Sequence, residues 1–506
     1  MDKEVNGGVN DAMKQYTDAD FSAYDPDDPT TPSLIPQNFT EALDYLRKTR
    51  VFGSREGLER VQGLLDRIGN PENICPVIHI AGTNGKGSVS SFCAHVSAVT
   101  GRKTGWFTSP FLERFNERIR IIDGREGLKR FIADPRSAEI EDAEFAEVMQ
   151  SIVAGVNDML ASGLESPTEF ELLTAAALKF FADEKCDMVV LETGLGGRLD
   201  STNVVDHPEV TAITALGYDH MDRLGDTLAQ IAWEKGGIIK QDRPLILYDP
   251  YDSDNTDEDA AAALEVLTRM AREKNAELFT VSSKDYEVLS SDLTGQRFTY
   301  QGETYEIRLL GGYQVENAAM AIEICKHIAS IEQIREGLKL TRWAGRLEIL
   351  HDDPVILIDG AHNMQGCTAL GRFLREHFDG VEINVMTGML GDKAHHEMLD
   401  IVLGHSALRI GEVYVTQPNF HRAYAAKDLA AEVAEVLGSE SPVEQSRVNP
   451  AESPRVIYDA DPRAMLATAL RRSMDSKTPL IVFGSLYLIG EMRPLIRKTV
   501  KTENKG

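Results

Sequence analysis

CPVIHIAGTNGKGSVSSFCAHVSAVTG, residues 75–101, reads as a buried strand, a glycine-rich loop and a helix ending at Gly101. That order opens an α/β sheet. Gly82, Gly85 and Gly87 allow positive φ and let backbone amides approach an anion with no Cβ in the way. Those amides and the helix N-terminus favour phosphate, and Lys86 can reach its outer oxygens. Thr83, Asn84 and Ser88 complete the loop, Ser88 as a hydroxyl that can orient phosphate or a metal. The match to GxxxxGK[ST] is imperfect, because Ile80 holds the place of the first glycine and Gly87 separates Lys86 from Ser88. A strand–helix turn with chance glycines is the alternative. The strand before, the helix after and a lysine between two glycines favour ATP-type phosphate binding.

Outward from this unit, FTEALDYLRKTR (39–50) starts a helix with Thr40 as the expected N-cap, and a second helix spans about Arg55–Ile68. KTGWFTS, DMVVLETG, VTAITALG and RPLILYD read as further buried strands. Helices are expected over about Asp142–Ser162, Glu169–Asp183 and Thr227–Lys235. The alternation predicts a parallel or mixed sheet covered on both faces. Residues 284–308 alternate like antiparallel strands, with turns at Thr294-Gly295 and Gln301-Gly302. A second strand–helix series follows from near Arg346: DPVILIDGAHN, EINVMTGMLG, EVYVTQPN, SPRVIYDA and TPLIVFGSLYLIG. The expected division is an acidic leader (1–38), a first domain (39–340), a smaller second domain (341–497) and a tail (498–506), with polar loops at Asp249–Asp259 and Gly438–Ser453.

The 506 residues carry 53 Lys+Arg against 80 Asp+Glu, a net charge of −27. A single core rarely exceeds roughly 250–300 residues, so two domains are expected. Such acidity argues against a nucleic-acid partner, whose phosphates would be repelled. It does not forbid a small anion in a locally basic cleft. Five scattered cysteines without a CxxC pair fit a reducing compartment, and no apolar run reaches the ~18 residues of a membrane span. The Asp-rich start resembles neither a signal nor a transit peptide, so a cytoplasmic location, no membrane partner and a monomeric state are expected.

GTNGKGS (82–88), FTSPFLERFNERIRI (107–121), LETGLGGRLDSTNV (191–204), ALGYDHMDRLGDT (215–227), AWEKGGIIK (232–240), WAGRLE (343–348), LIDGAHN (357–363) and GSLYLIGE (484–491) together resemble the dihydrofolate synthase/folylpolyglutamate synthase family of the Mur ligase superfamily. The resemblance runs in order from about residue 39 to 497. It implies an α/β chain: an N-terminal Mur-ligase-type P-loop ATPase domain with a mixed or parallel sheet, and a smaller C-terminal Rossmann-like domain. It also implies ATP and Mg²⁺ as cofactors, with dihydropteroate and L-glutamate as substrates of an acyl-phosphate reaction. Asn84 and LGGRLDSTN look more like dihydrofolate synthases, because eukaryotic folylpolyglutamate synthases tend to carry Lys at the former, and the polar insertions look fungal. Folylpolyglutamate synthesis, a bifunctional enzyme, a muramyl ligase and a silent nucleotide-binding regulator are the alternatives.

Glu192 follows DMVVL, so its carboxylate stands at a strand's carboxyl end, where α/β ligands bind and where hard oxygens suit Mg²⁺. His220 follows another strand end. By the resemblance, Ser109, Glu192 and His220 hold the metal, and Lys86, Glu192, His220 and Lys235 are catalytic. Lys235 is expected in a turn, where the family lysine can be carbamylated; unmodified, it would be a surface or phosphate-contacting residue. Asn317, Arg346, Asp359 and His362 are the implied nucleotide or glutamate contacts, alongside the loop 83–88. His395 and His396, adjacent and so not on one helical face, are expected to be solvent or loop residues. Three departures from the family stand out: Phe111 and Tyr313 where His is common, and Met364 where Pro is usual.

Overall fold

All five residues of β1, Val77–Ala81, are buried. Their side chains alternate between two cores. Ile78 and Ile80 pack with Val89, Phe92 and Val96 of the helix Lys86–Val99, while Val77 joins Leu64, Phe145 and Phe181 on the opposite face. Each such aliphatic side chain contributes about 1.5–3 kcal/mol by leaving water. That two-sided burial is what an unbroken apolar run requires. The computed structural model describes residues 34–503 apart from 51–52, 54–56, 250–257, 392, 405–407, 440–441 and 446–454. The leader up to residue 33, most of the Asp249–Asp259 loop and much of Gly438–Ser453 lie outside the described residues.

β1 is joined by β2 (Lys103–Phe107), β3 (Ile119–Asp123), β4 (Met188–Glu192), β5 (Val210–Ile213), β6 (Leu245–Tyr248) and β7 (Leu278–Val281) in the order β3-β2-β4-β1-β5-β6-β7. Neighbours run parallel except β3, which is antiparallel to β2. β8 (Tyr286–Asp292), β9 (Gly295–Tyr300) and β10 (Glu303–Ile307) form an antiparallel sheet. Its second turn uses left-handed Gln301 and Gly302 (φ 49 and 83), as a tight hairpin demands.

The second domain repeats the layered plan. β11 (Glu348–Asp352), β12 (Val355–Ile358), β13 (Glu382–Thr387), β14 (Arg409–Val415), β15 (Val443–Glu444), β16 (Val456–Tyr458) and β17 (Leu480–Phe483) lie in the order β11-β12-β17-β13-β14-β16-β15. Only β11 is antiparallel to its neighbour. The last helix, Leu486–Glu503, runs through residues read from the sequence as the start of a tail, and Val500 is buried in the second domain's core.

One local expectation is corrected. The first helix, Phe39–Thr49, is capped by Asn38, which is extended (φ −152, ψ 171) and accepts the Glu41 amide at 3.0 Å; Thr40 lies within the helix. Asn38 succeeds because Glu41 reaches back to the Gln37 amide (2.7 Å), satisfying a second free donor. Within the described residues the next helix begins at Glu59, and Arg55, where its start is expected, lies outside them.

Candidate active site between the two domains

The glycine loop 82–88 leaves the carboxyl end of the central strand and is moulded by the segment after β5. Thr83 and Asn84 donate their amides to Ala215 O (2.9 and 3.2 Å), and the Thr214 hydroxyl donates to Asn84 O at 2.7 Å. Gly82 and Gly85 have φ of 151 and 90. A Cβ at Gly82 would strike Thr214, one at Gly85 would strike Asn317, and one at Gly87 would enter the Trp343 indole. Asn317 is buried in the helix Gly312–Cys325 and donates to Gln314 Oε1 at 3.1 Å; Gln314 in turn donates to Ser88 Oγ at 3.1 Å.

Two lysines meet on one carbonyl. Lys86 Nζ donates to Gly82 O (2.8 Å) and Thr83 O (3.1 Å), and Lys235 Nζ donates to the same Gly82 O at 2.8 Å. Lys235 is buried in the last turn of the helix Leu228–Gly236, which corrects both the expected turn and the surface position. Its proton affinity is held well below that of an ordinary lysine, first by burial and then by Lys86; Asp219 and Asp200 work the other way. Burial lowers Lys86 too, against the opposing pull of Glu192, Asp219 and Asp200.

Glu192 ends β4 and is buried. Burial pushes its carboxyl up to about 7, although Lys86, the Ser109 backbone amide, Arg346 and Arg118 all oppose the rise. The Ser109 hydroxyl accepts from Arg118 Nη1 at 3.0 Å, and that guanidinium lies over the Phe111 ring at 5.3 Å. His220 adopts a left-handed conformation (φ 51) with its ring half exposed, 4.0 Å from Asp219. Burial lowers its proton affinity, opposed by Asp219 and aided by Lys393, Lys86 and Lys235. Among the described residues, no group of three or more His, Cys, Asp or Glu side chains converges to hold a metal.

From the second domain, Asp359 ends its strand with both carboxylate oxygens on backbone amides, Leu347 and Ala361, each at 2.8 Å. It thereby folds the turn that presents Arg346, whose Nη1 donates to Gly345 O at 3.1 Å. Tyr313, half-buried near both, has its hydroxyl pushed up by desolvation. His362 Nδ1 faces Gly360 O at 2.7 Å and so carries the proton, leaving Nε2 for another partner. The helix Met364–His377, N-capped by Asn363, reaches the phosphate loop: Asn363 Nδ2 lies 3.3 Å from Asn84 Oδ1, and Asn84 donates to Gln365. Gln365 Nε2 also donates to Leu216 O at 3.0 Å, and Lys393 lies 3.8 Å from Asp219.

Thus Lys86, Lys235, Glu192, Ser109 and His220 from the first domain stand opposite Arg346, Asp359 and His362 from the second, with Asn317 beneath the loop. His395 is not a solvent residue. It is buried, its Nε2 lies 2.7 Å from Leu390 O, and it stacks on Tyr424 with centroids 4.1 Å apart. Its orientation follows from tertiary packing, which adjacency in sequence does not report. His396 is exposed.

One organising residue escaped the sequence reading. Asp200 is buried and accepts the amides of Gly194 (2.9 Å), Leu195 (2.8 Å) and Thr202 (3.0 Å), closing the glycine-rich loop that follows Glu192. The Asp-Ser-Thr order is an N-cap pattern and was the available clue.

Residues 140–325 match the Mur ligase middle domain, and residues 345–486 match the Mur ligase glutamate ligase domain. The chain is 32% identical over 479 residues to the dihydrofolate synthase/folylpolyglutamate synthase of Bacillus subtilis, covering 91% of this chain and 99% of that one. It is 28% identical over 453 residues to the dihydrofolate synthetase of Saccharomyces cerevisiae, covering 86% and 96%. The crystal structure of Mycobacterium tuberculosis folylpolyglutamate synthase complexed with ADP and AMPPCP superposes with a TM-score of 0.73 at 28% identity, covering 90% of this chain and 99% of that one.

Proposed function

The chain belongs to the dihydrofolate synthase/folylpolyglutamate synthase family of Mur ligases, ATP-binding enzymes that join folates to glutamate, and within it we propose that it joins L-glutamate to 7,8-dihydropteroate. The observation that carries this reading is the convergence of two lysines, an arginine and a helix N-terminus at one place in a protein of net charge −27. Asn84, the segment Leu195–Asn203 and the likeness to a fungal dihydrofolate synthetase support dihydropteroate as the acceptor.

In this reading the acceptor's carboxylate oxygen attacks the γ-phosphorus of ATP and ADP leaves. The glutamate amine then attacks the acyl carbon, sheds its proton, and inorganic phosphate departs with the acyl oxygen. The enzyme's share is positioning and charge, because a loose phosphoryl transition state needs stabilisation more than a nucleophile. Lys86 exchanges the Gly82 and Thr83 carbonyls for phosphate oxygens, and Arg346 faces it from the second domain. Burial disfavours the charged form of the Lys235 amine, and the uncharged form is the one that can take up CO₂ as a carbamate.

The donor chemistry fits Mg²⁺. Glu192 and Ser109 offer hard oxygens joined through the Ser109 amide, and His220, like Glu192, lies near Lys86. An ion that draws most ligands from phosphate and water needs no protein cage. Ser109, Glu192 and His220 would hold it, and it would neutralise charge on the transferring phosphoryl group. The retained Lys86, Glu192, His220 and Arg346 speak against a silent regulator.

The deciding assay supplies ATP, Mg²⁺ and L-glutamate with dihydropteroate or tetrahydrofolate in parallel, following phosphate release and product. Dihydropteroate turnover is expected, falling by orders of magnitude in Lys86→Ala. Turnover with tetrahydrofolate alone would move the assignment to folylpolyglutamate synthesis, and turnover with both to a bifunctional enzyme.

A further inference from the structure

Between Ser109 and Phe115 the first domain sends a loop across to the second. Leu112 packs against the second domain's core with Ile489 and Met492. A Cβ at Gly490 would collide with the Leu112 carbonyl, and one at Gly345 would collide with Ile489 and crowd the Leu112 side chain, so two glycines shape the seat. Beside that seat Arg493, almost fully buried in the helix Leu486–Glu503, forks onto Glu348 with Nε and Nη2 each 2.7 Å from an oxygen. Its remaining Nη1 pairs with Glu113 of the loop. Glu348 Oε2 also accepts the Gly345 amide at 2.8 Å, and Glu117 accepts the amides of Leu112, Glu113 and Arg114 at 2.8, 3.1 and 3.1 Å.

We propose that Arg493 is a positioning residue, a three-point clamp that fixes the loop carrying Ser109 and Phe111 against the turn carrying Arg346. A buried guanidinium with two carboxylate partners is expensive unless its geometry is used. Here the geometry joins the two halves of the cleft. Glu113 supplies this loop's charged contact with the second domain, while Glu348 fixes Arg493 within its own domain. The Glu113 carboxyl is raised by burial and pulled back by Arg493, so that hold depends on the arginine. The inference rests on the ligase reading for its kinetic consequence, but not for the contact itself.

The test compares Glu113→Gln and Arg493→Lys with wild type. Glu113→Gln removes the cross-domain charge while leaving the Arg493–Glu348 fork, and Arg493→Lys keeps the charge without the fork. KM for acceptor and ATP, kcat, thermal unfolding, and amide hydrogen exchange at Leu112–Arg114 are measured on the full chain. Glu113→Gln is expected to raise acceptor KM about tenfold, leave ATP KM within about twofold, and speed exchange at those amides without a matching fall in thermal stability. Arg493→Lys is expected to fall between. An unchanged acceptor KM in Glu113→Gln overturns the clamp, as does a parallel rise in both KM values tracking lost stability. If wild type ligates neither acceptor, the ligase reading fails, and the exchange rates alone decide whether the clamp holds the loop.

Discussion

Replacing Glu192 by Gln should stabilise the ligand-free protein at pH 8 and leave it unchanged near pH 4. The buried carboxyl titrates at about 7 rather than 4.5. A folded-state value above the unfolded one means that the native chain holds more protons between those limits, so stability falls as pH rises through them. Below about 4.5 both states are neutral and no penalty exists; above about 7 it is complete. At about 1.4 kcal/mol per pH unit the penalty is about 3.5 kcal/mol. Gln has the same shape, can still accept the Ser109 amide and never ionises. The assay is thermal unfolding of wild type and Glu192→Gln without nucleotide at a series of pH values. The difference in Tm should grow by several degrees from acid to pH 8, since 1 kcal/mol shifts a domain of this size by roughly 2–4 °C. A difference that is flat across pH, or that favours wild type in alkali, would refute the assignment of burial as the dominant influence on Glu192.

Two further outcomes are expected. Asp200→Asn places an amide group where backbone donors already point, and should lower stability by about 2–3 kcal/mol and depress turnover, read by denaturant unfolding and phosphate release. Lys235→Ala should lose turnover and recover part of it with added formate or acetate, if a carbamate acts there; full activity without additive would remove that role.

Much of the architecture was legible because its causes are local. The two-sided burial of Val77–Ala81 follows from an unbroken apolar run, and the turn at Gln301-Gly302 follows from side-chain chemistry. β11 was not read as a strand, since Glu348–Asp352 is half-exposed and polar and is held by its antiparallel neighbour β12. In the cleft, Lys86 and Glu192 could be placed because strand ends announce themselves. Gln365 and Arg493 could not, because each acquires its role from partners distant in sequence, and Asp200 offered only its N-cap order, since the Gly194 and Leu195 amides it also holds have no residue signature. The burial of Lys235 was hidden for the same reason: its partner is the Gly82 carbonyl, 153 positions away.

That carbonyl also gathers two amines whose proton binding would respond to any anion the glycine loop takes up. Half-buried Lys86 and buried Lys235 share it, and both hold their protons more loosely than free lysines. An arriving polyphosphate restores the lost attraction, so binding draws protons from solution. The heat of nucleotide binding should therefore depend on the ionisation enthalpy of the buffer, and affinity should tighten as the solution is made more acid across the range in which these amines titrate.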